Sequence, residues 1–267
     1  MNQGPSIPPS GPRAFLRHTL VLIPALNEEA CIAETIRYWL ELGAARVRVV
    51  DNGSRDGTSD AAREAGADVV LETRRGYGAA AWRGLQDWPE AAGLDWVLFS
   101  SADGSDRLTV PEAHEWQLAI DAGADLVMGD RTSRQSRPPD LKPVQRLGNR
   151  FVCHALRVGW GRRFRDMGSM RLIRHRALQS LGLKDRGFGW NVEMQIRALE
   201  RGWSLVELPV TYHPRRAGQS KISGNVSGTL RAGWGILRML GKMWQWRRQT
   251  NRECIRSLPE PKPRPPL

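Results

Sequence analysis

Polar side chains able to bind or activate a ligand gather at four places where a short apolar run gives way to a loop. These are Asn27, Glu28 and Glu29; Asp51 with Asn52, Gly53 and Ser54; Arg74 and Arg75 before Gly76-Tyr77-Gly78; and Ser101-Ala102-Asp103-Gly104-Ser105-Asp106. A carboxylate at a strand end, such as Asp51, accepts hydrogen bonds from a nucleobase N–H or a ribose hydroxyl. The same pattern also arises in an Asx-turn that caps a helix with no ligand. A glycine turn that opens a helix beside two arginines suits a diphosphate, because the helix presents unpaired backbone N–H groups and its positive end; plain turn chemistry is the alternative. Asp103 is placed to hold a hard divalent cation, Mg2+ or Mn2+, against a diphosphate, whereas Asp106 is expected to cap the turn that follows. Gly76-Tyr77-Gly78-Ala79-Ala80-Ala81 also matches G-x-G-x-x-A. However, it lies at the third strand-to-helix junction, and Asp95 begins an apolar run where a dinucleotide fingerprint needs an acid at the end of one. A nicotinamide-dependent dehydrogenase is therefore a weak reading.

The elements that must position these residues follow from hydrophobic spacing. Runs over 19–24, 47–51, 68–72, 96–100 and 125–129 are rich in Val, Leu and Ile and bounded by Asp, Gly or Asn, as in buried parallel strands. Stretches 28–42, 57–65, 78–87 and 111–122 carry helical spacing, so strand and helix alternate as in a doubly wound α/β layer. In such sheets ligands bind beyond the carboxyl ends of the strands, which is where the four polar loops fall. After residue 130 the alternation stops. Helices are expected over 145–158 and 192–201, short strands over 167–173 and 204–209, and a last ordered segment over 230–246.

The 267 residues carry 40 basic and 28 acidic groups, a formal charge of +12, and 35 of the basic residues are arginines. Residues 1–129 carry −8, 130–176 carry +10, 177–212 are neutral and 213–267 carry +10. An acidic half joined to two arginine-rich blocks argues against a uniform nucleic-acid coat and for anionic, phosphate-bearing partners. Cys31, Cys153 and Cys254 are far apart with no C-x-x-C pair, which excludes a disulfide framework or a zinc site of known spacing and fits a reducing, cytoplasmic setting. Residues 1–18, with Pro5, Pro8, Pro9 and Pro12, are expected to be a disordered leader, and 251–267 a Pro-rich tail. No apolar run approaches the ~18 residues of a spanning helix.

Several motifs, taken in order, resemble the family-two glycosyltransferases of GT-A fold. They are Pro24-Ala25-Leu26-Asn27-Glu28-Glu29, Asp51-Asn52-Gly53-Ser54, the glycine turn, Ala102-Asp103-Gly104 and Gly129-Asp130-Arg131. Asp166-Met167-Gly168-Ser169-Met170-Arg171, Phe188-Gly189-Trp190-Asn191-Val192-Glu193-Met194 and Arg216-Ala217-Gly218-Gln219-Ser220-Lys221 extend the likeness toward the polyprenyl-phosphate subgroup, the dolichyl-phosphate mannosyl- and glucosyltransferases. The resemblance implies one GT-A domain over 19–224, Rossmann-like with a mostly parallel sheet. It implies an inverting, metal-assisted transfer of a hexose from a UDP- or GDP-linked nucleotide sugar to a polyprenyl monophosphate. By the same likeness, Pro24, Asn27, Glu28 and Asp51 hold the nucleoside, and Arg75, Gly76, Arg216, Ser220 and Lys221 hold the diphosphate. Asp103 with Ser105 holds the metal, Arg131, Arg146 and Asn149 face the acceptor phosphate, and Asp166 orients the acceptor or the sugar.

Two departures stand out. Ser101 replaces the first Asp of the family's D-x-D, which leaves room for a non-catalytic scaffold that binds nucleotide sugar or lipid phosphate. Ser169-Met170 stands where relatives carry an aromatic residue before the Arg. The segment 225–250 is expected to form an amphipathic helix, with Arg231, Arg238 and Lys242 on one face, Ile236, Leu240 and Met243 opposite, and Trp234, Trp244 and Trp246 at the flanks. Such a helix suits an anionic lipid interface, and hence peripheral attachment to the inner face of a membrane; docking on the catalytic domain is the alternative. A glycan or other soluble acceptor is the competing reading of the activity.

Overall fold

The computed structural model describes residues 13–88, 93–133, 143–211, 213–215 and 233–245. Seven strands form one mixed sheet in the order β3-β2-β1-β4-β6-β5-β7: β1 Thr19–Ala25, β2 Arg46–Asp51, β3 Asp68–Leu71, β4 Trp96–Phe99, β5 Leu126–Asp130, β6 Arg171–Arg174 and β7 Leu205–Pro209. The helices are α1 Glu29–Leu42, α2 Thr58–Glu64, α3 Tyr77–Gly84, α4 Val110–Asp121, α5 Pro143–Trp160, α6 His175–Leu181 and α7 Trp190–Glu200, followed by α8 over 233–245. The alternating apolar runs thus become strands within a residue or two of their expected ends. Helix α6 has no counterpart in the hydrophobic spacing.

Because successive strand residues face opposite sides, β1 sends Leu20 and Leu22 into one core and Val21 and Ile23 into the other. The second core is closed by α1, α2 and α4, with Trp39 and Trp116 fully buried. The first is closed by α3, α5, α6, α7 and α8. Thr109 starts α4 with a reciprocal capping box to Glu112. Residues 14–18, expected in a disordered leader, instead form a 3-10 turn that buries Phe15 and Leu16 beneath the sheet.

One strand departs from the parallel scheme. β6 lies between β4 and β5 and runs antiparallel to both. Its entrance, and with it the segment 166–170, therefore lies at the edge where β1, β2, β3, β5 and β7 end.

Candidate functional site

In the loops after β1 and β2, short turns fix the polar groups. Asp51 ends β2, and its carboxylate accepts from Ser54 N–H (2.7 Å) and the Ser59 hydroxyl. The carboxylate expected to meet a ligand is thus also the brace of its turn. Asn27 adopts a positive φ of 50° and accepts through Oδ1 from Arg55 N–H at 2.8 Å. Glu28 N–H donates to the Thr58 hydroxyl (2.8 Å), which ties the loop after β1 to the start of α2. Pro24 lies opposite Val50 in the parallel register that brings these two loops side by side.

The glycine turn plays a different part from the one expected. Gly78 and Ala79, the residues opening α3, donate their N–H groups to the carbonyls of Gly187 and Arg186, both at 2.9 Å, and Gly76 N–H donates to Asn52 Oδ1 at 2.8 Å. The helix end that suits a phosphate is thus occupied by backbone carbonyls. A Cβ at Gly76, whose φ is +144°, would stand 2.3 Å from the Arg186 carbonyl, so the glycines here permit contact with the 185–187 loop. Arg75 does face the site: a Cβ on Gly53 would meet its guanidinium at 3.4 Å.

In the fourth loop, Asp103 Oδ1 accepts from the Ser105 amide (3.1 Å) and hydroxyl, while Oδ2 lies 3.0 Å from Arg215 Nη2. Arg215 Nη1 lies 3.0 and 2.9 Å from the two Glu28 oxygens. One guanidinium thus bridges the carboxylate of the first loop and that of the fourth. His213 N–H, donating to the Ser105 carbonyl at 3.1 Å, pins its segment in place. Ser105, expected as a metal ligand, instead spends its hydroxyl on bracing Asp103. Asp106 does not cap the following turn: its buried carboxylate accepts from Ser101 N–H (2.8 Å) and the Ser169 hydroxyl (2.6 Å). Burial pushes the Asp106 carboxyl above its ordinary pKa despite these bonds. Of the two departures from the family pattern, Ser169 reaches Asp106 with its hydroxyl, whereas the Ser101 hydroxyl lies 3.0 Å from that of Ser105 and only its backbone N–H contacts Asp106.

Across the sheet edge, Arg131 follows β5 and forms a bidentate pair with Asp166, Nε–Oδ2 2.7 Å and Nη2–Oδ1 2.9 Å, with Arg131 N–H donating at 3.0 Å as well. The Asp166 side chain is fully buried. Burial opposes its ionisation, but Arg131 outweighs burial and holds the carboxyl below the usual range. Asn149, expected at the acceptor phosphate, spends its Oδ1 on Met167 N–H (2.8 Å) and its Nδ2 on the Arg165 carbonyl (3.4 Å), so it braces the loop before β6. Glu207 on β7 accepts from the Arg165 and Asp166 amides. Arg171, 1% exposed, donates to the carbonyl of Gly168, that of Asn191 and to Gln195 Oε1, so this arginine is structural. Arg146 lies exposed on α5.

Arg216, Ser220 and Lys221 fall outside the described residues. Arg215, their neighbour, was not singled out by the sequence. Only its position within the cluster His213-Pro214-Arg215-Arg216 pointed that way, and nothing local distinguishes two consecutive arginines. Asn52, expected among the ligand-facing polar groups of the second loop, instead donates through Nδ2 to the carbonyls of Glu72 and Arg74, and this hangs the third loop from the second.

The α8 helix rests on the domain through Ile236, Met239, Leu240 and Met243, while Trp234 is 71% exposed. The apolar face expected for a lipid surface is therefore turned inward. Among the described residues no helix is long and apolar enough to cross a membrane.

Comparison with known proteins agrees with this architecture. A solved structure of glucosyl-3-phosphoglycerate synthase from Mycobacterium tuberculosis superimposes with a TM-score of 0.68 at 22% identity, covering 91% of this chain and 86% of that one; it shares the GT-A fold. An uncharacterised glycosyltransferase of Mycobacterium tuberculosis is 37% identical over 210 residues, 79% of this chain and 92% of its own length. The polyprenol monophosphomannose synthase of Mycolicibacterium smegmatis is 32% identical over 240 residues, 82% of this chain and 88% of its own length. The glycosyl transferase family 2 model matches residues 20–182, from the first strand through α6, and includes the loop carrying Asp166. With the strand-end carboxylates Asp51 and Asp103 inside that match, the chain belongs to glycosyl transferase family 2 and is a glycosyltransferase.

Proposed function

We propose that the protein transfers a hexose from a nucleotide sugar to a polyprenyl monophosphate with inversion at the anomeric carbon. The observation that carries this reading is the placement of two opposed charge clusters on one sheet edge: Asp103 and Glu28 joined by Arg215, and Arg131 held by Asp166. With a divalent cation on Asp103 the first would receive a donor diphosphate, and Arg131 of the second would face a second anion. Support for a lipid acceptor also comes from relatives named for that chemistry, the polyprenol monophosphomannose synthase and an undecaprenyl-phosphate mannosyltransferase of Micrococcus luteus, 30% identical over 224 residues.

Asp103 is a single carboxylate, Asp106 is committed to Ser101 and Ser169, and the described residues hold no group of three or more His, Cys, Asp or Glu able to bind a metal. A cation nevertheless fits. Arg215 already places a positive charge between Asp103 and Glu28, and Mg2+ is commonly held by one carboxylate together with substrate phosphates. Asp103 would hold the ion, which would supply Lewis acidity to the departing nucleoside diphosphate.

The protein's own residues do the positioning. Asp51, Asn27 and Glu28 orient the nucleoside, and Arg75 stands over Gly53 beside the diphosphate. Arg131, fixed in direction by its fork-to-fork contact with Asp166, draws the acceptor phosphate toward the donor against like-charge repulsion. The acceptor oxygen is already ionised at neutral pH and attacks in line, so no strong general base is needed. Incubation with several nucleotide sugars, Mn2+ and a short polyprenyl phosphate is expected to yield a sugar-phosphate lipid. Transfer to a soluble phosphate ester with none to the lipid would overturn the acceptor assignment.

A further inference from the structure

A cavity of about 790 Å³ opens between the loop after β3, the loop before α7, and α8. Arg74 and Arg75 line it from the first element, Lys184 and Arg186 from the second, and Arg238 and Lys242 from the third. Six cations converge on a space of ligand size. The two acids in the same wall are already committed. Asp185 Oδ1 accepts the Gly187 and Gly189 amides at 2.8 and 3.0 Å, and Glu193 accepts the Lys184 and Asp185 amides and pairs with Arg197 at 2.8 Å. Among the described residues, no carboxylate lies within ion-pair distance of Arg74, Arg75, Lys184, Arg238 or Lys242. Arg186 stacks on Trp82 at 4.5 Å.

The cluster is held together by packing. A Cβ on Gly189 would stand 2.7 Å from Met239 Cβ, so α8 sits in direct contact with the start of α7 and carries Arg238 and Lys242 into the wall. Trp234, Met239 and Met243 add an apolar side to the same cavity. Like charges brought this close repel unless an anion joins them, and the apolar side gives that anion somewhere to rest a hydrocarbon or ring.

We propose that this cavity is a metal-independent site for a multiply charged phosphate ester, with α8 supplying one of its three cationic walls. It adjoins the donor loops through Arg75 but has no carboxylate to offer a metal. It also gives Arg238 and Lys242 a use other than general attraction to a membrane. The assignment stands whether or not the sugar acceptor is a polyprenyl phosphate.

Calorimetry in EDTA with inorganic pyrophosphate, which lacks the nucleoside that the donor loops would hold, tests it, because chelation removes any metal bridge at Asp103. Binding is expected in the full-length protein and is expected to fall roughly 10–100-fold in R238E/K242E, on the scale of one or two lost charged hydrogen bonds. Since that pair of changes risks undocking α8, R74E on the opposite wall serves as the second variant and is expected to weaken binding comparably. D103A is expected to keep the binding while losing sugar transfer, which separates failure of this site from failure of the catalytic assignment. Vesicles containing phosphatidic acid, a phosphomonoester able to carry two charges, bound and then displaced by pyrophosphate, would identify a lipid headgroup as the source of the phosphate; pyrophosphate binding without vesicle binding would identify a soluble one. Absence of metal-free binding at 1 mM probe, or equal binding by R74E and the unaltered protein, would overturn the proposal.

Discussion

The proposed nucleoside side and the proposed acceptor side of the site are built by different means. On the nucleoside side, carboxylates are anchored largely by their own loops: Asp51 by Ser54 and Ser59, Asp56 by Thr58, Asp103 by Ser105. On the proposed acceptor side the side-chain anchors are mainly remote, with Arg131 on Asp166, Glu207 on the amides of Arg165 and Asp166, and Asn149 on Met167, beside local braces from Thr132 to Asp130 and from Met167 N–H to Asp166. Local turns survive small shifts of the sheet, whereas a buried ion pair holds only while two distant segments stay in register. The acceptor side should therefore be the more fragile in stability and the more sensitive to acid.

Asp166→Asn breaks this contrast most directly. It leaves Arg131, 16% exposed, facing a neutral group, and about 3 kcal/mol of unfolding free energy should be lost in urea titrations. The pH dependence has a definite sign. Because the folded pKa of Asp166 is depressed, its contribution is fully present above the ordinary Asp range and lost as pH falls through the lower folded value. D166N should accordingly flatten the acid limb of the stability curve; an unchanged limb would mean that other carboxylates govern it.

Next in size, Asp103→Ala should lower kcat by roughly 10²–10³, as for loss of one electrostatic contact to developing charge, with little change in melting temperature. A variant that melts early would place Asp103 among structural groups instead. Gly76→Ala should cost on the order of 1–3 kcal/mol, because the positive φ is strained for alanine and the added methyl meets the Arg186 carbonyl. Retained stability would show that the 185–187 loop yields easily.

Arg215→Ala sharpens the donor side. Removing the internal cation between Asp103 and Glu28 should raise Mn2+ affinity of the nucleotide-free protein about fivefold, measured by the fall in free Mn2+ signal in electron paramagnetic resonance. Unchanged affinity would separate the arginine from the metal position. The smallest effect is expected at the exposed Arg63–Asp60 pair, where R63A should shift stability by less than about 0.5 kcal/mol.

The legible part of the fold was the alternating half. Strands β1 to β5 are short apolar runs with polar ends, and that pattern carries both their length and the edge where ligands gather. The positions of Asp51 and Asp103 could be read for the same reason, since the last residue of a buried strand and the loop that follows it lie at that edge. Asn149 was misread because an exposed-looking amide on a basic helix gives no sign of the Met167 amide it holds. The glycine turn was misread because glycine permits close approach without saying what approaches: here the 185–187 backbone, more than a hundred residues away in the chain.

By itself the sequence determined the layered α/β core, the four polar strand-end loops and the division into an acidic half and two arginine-rich blocks. These depend on periodicity and on neighbours a few residues apart. The tertiary structure alone decided the rest. It reversed β6, which brought Asp166 and Ser169 to the ligand edge; it chose Arg215 to join Asp103 to Glu28; and it turned the apolar face of α8 onto the domain. Each of these depends on where a distant segment packs, and a charge or a glycine carries no information about its partner until the core has brought the two together.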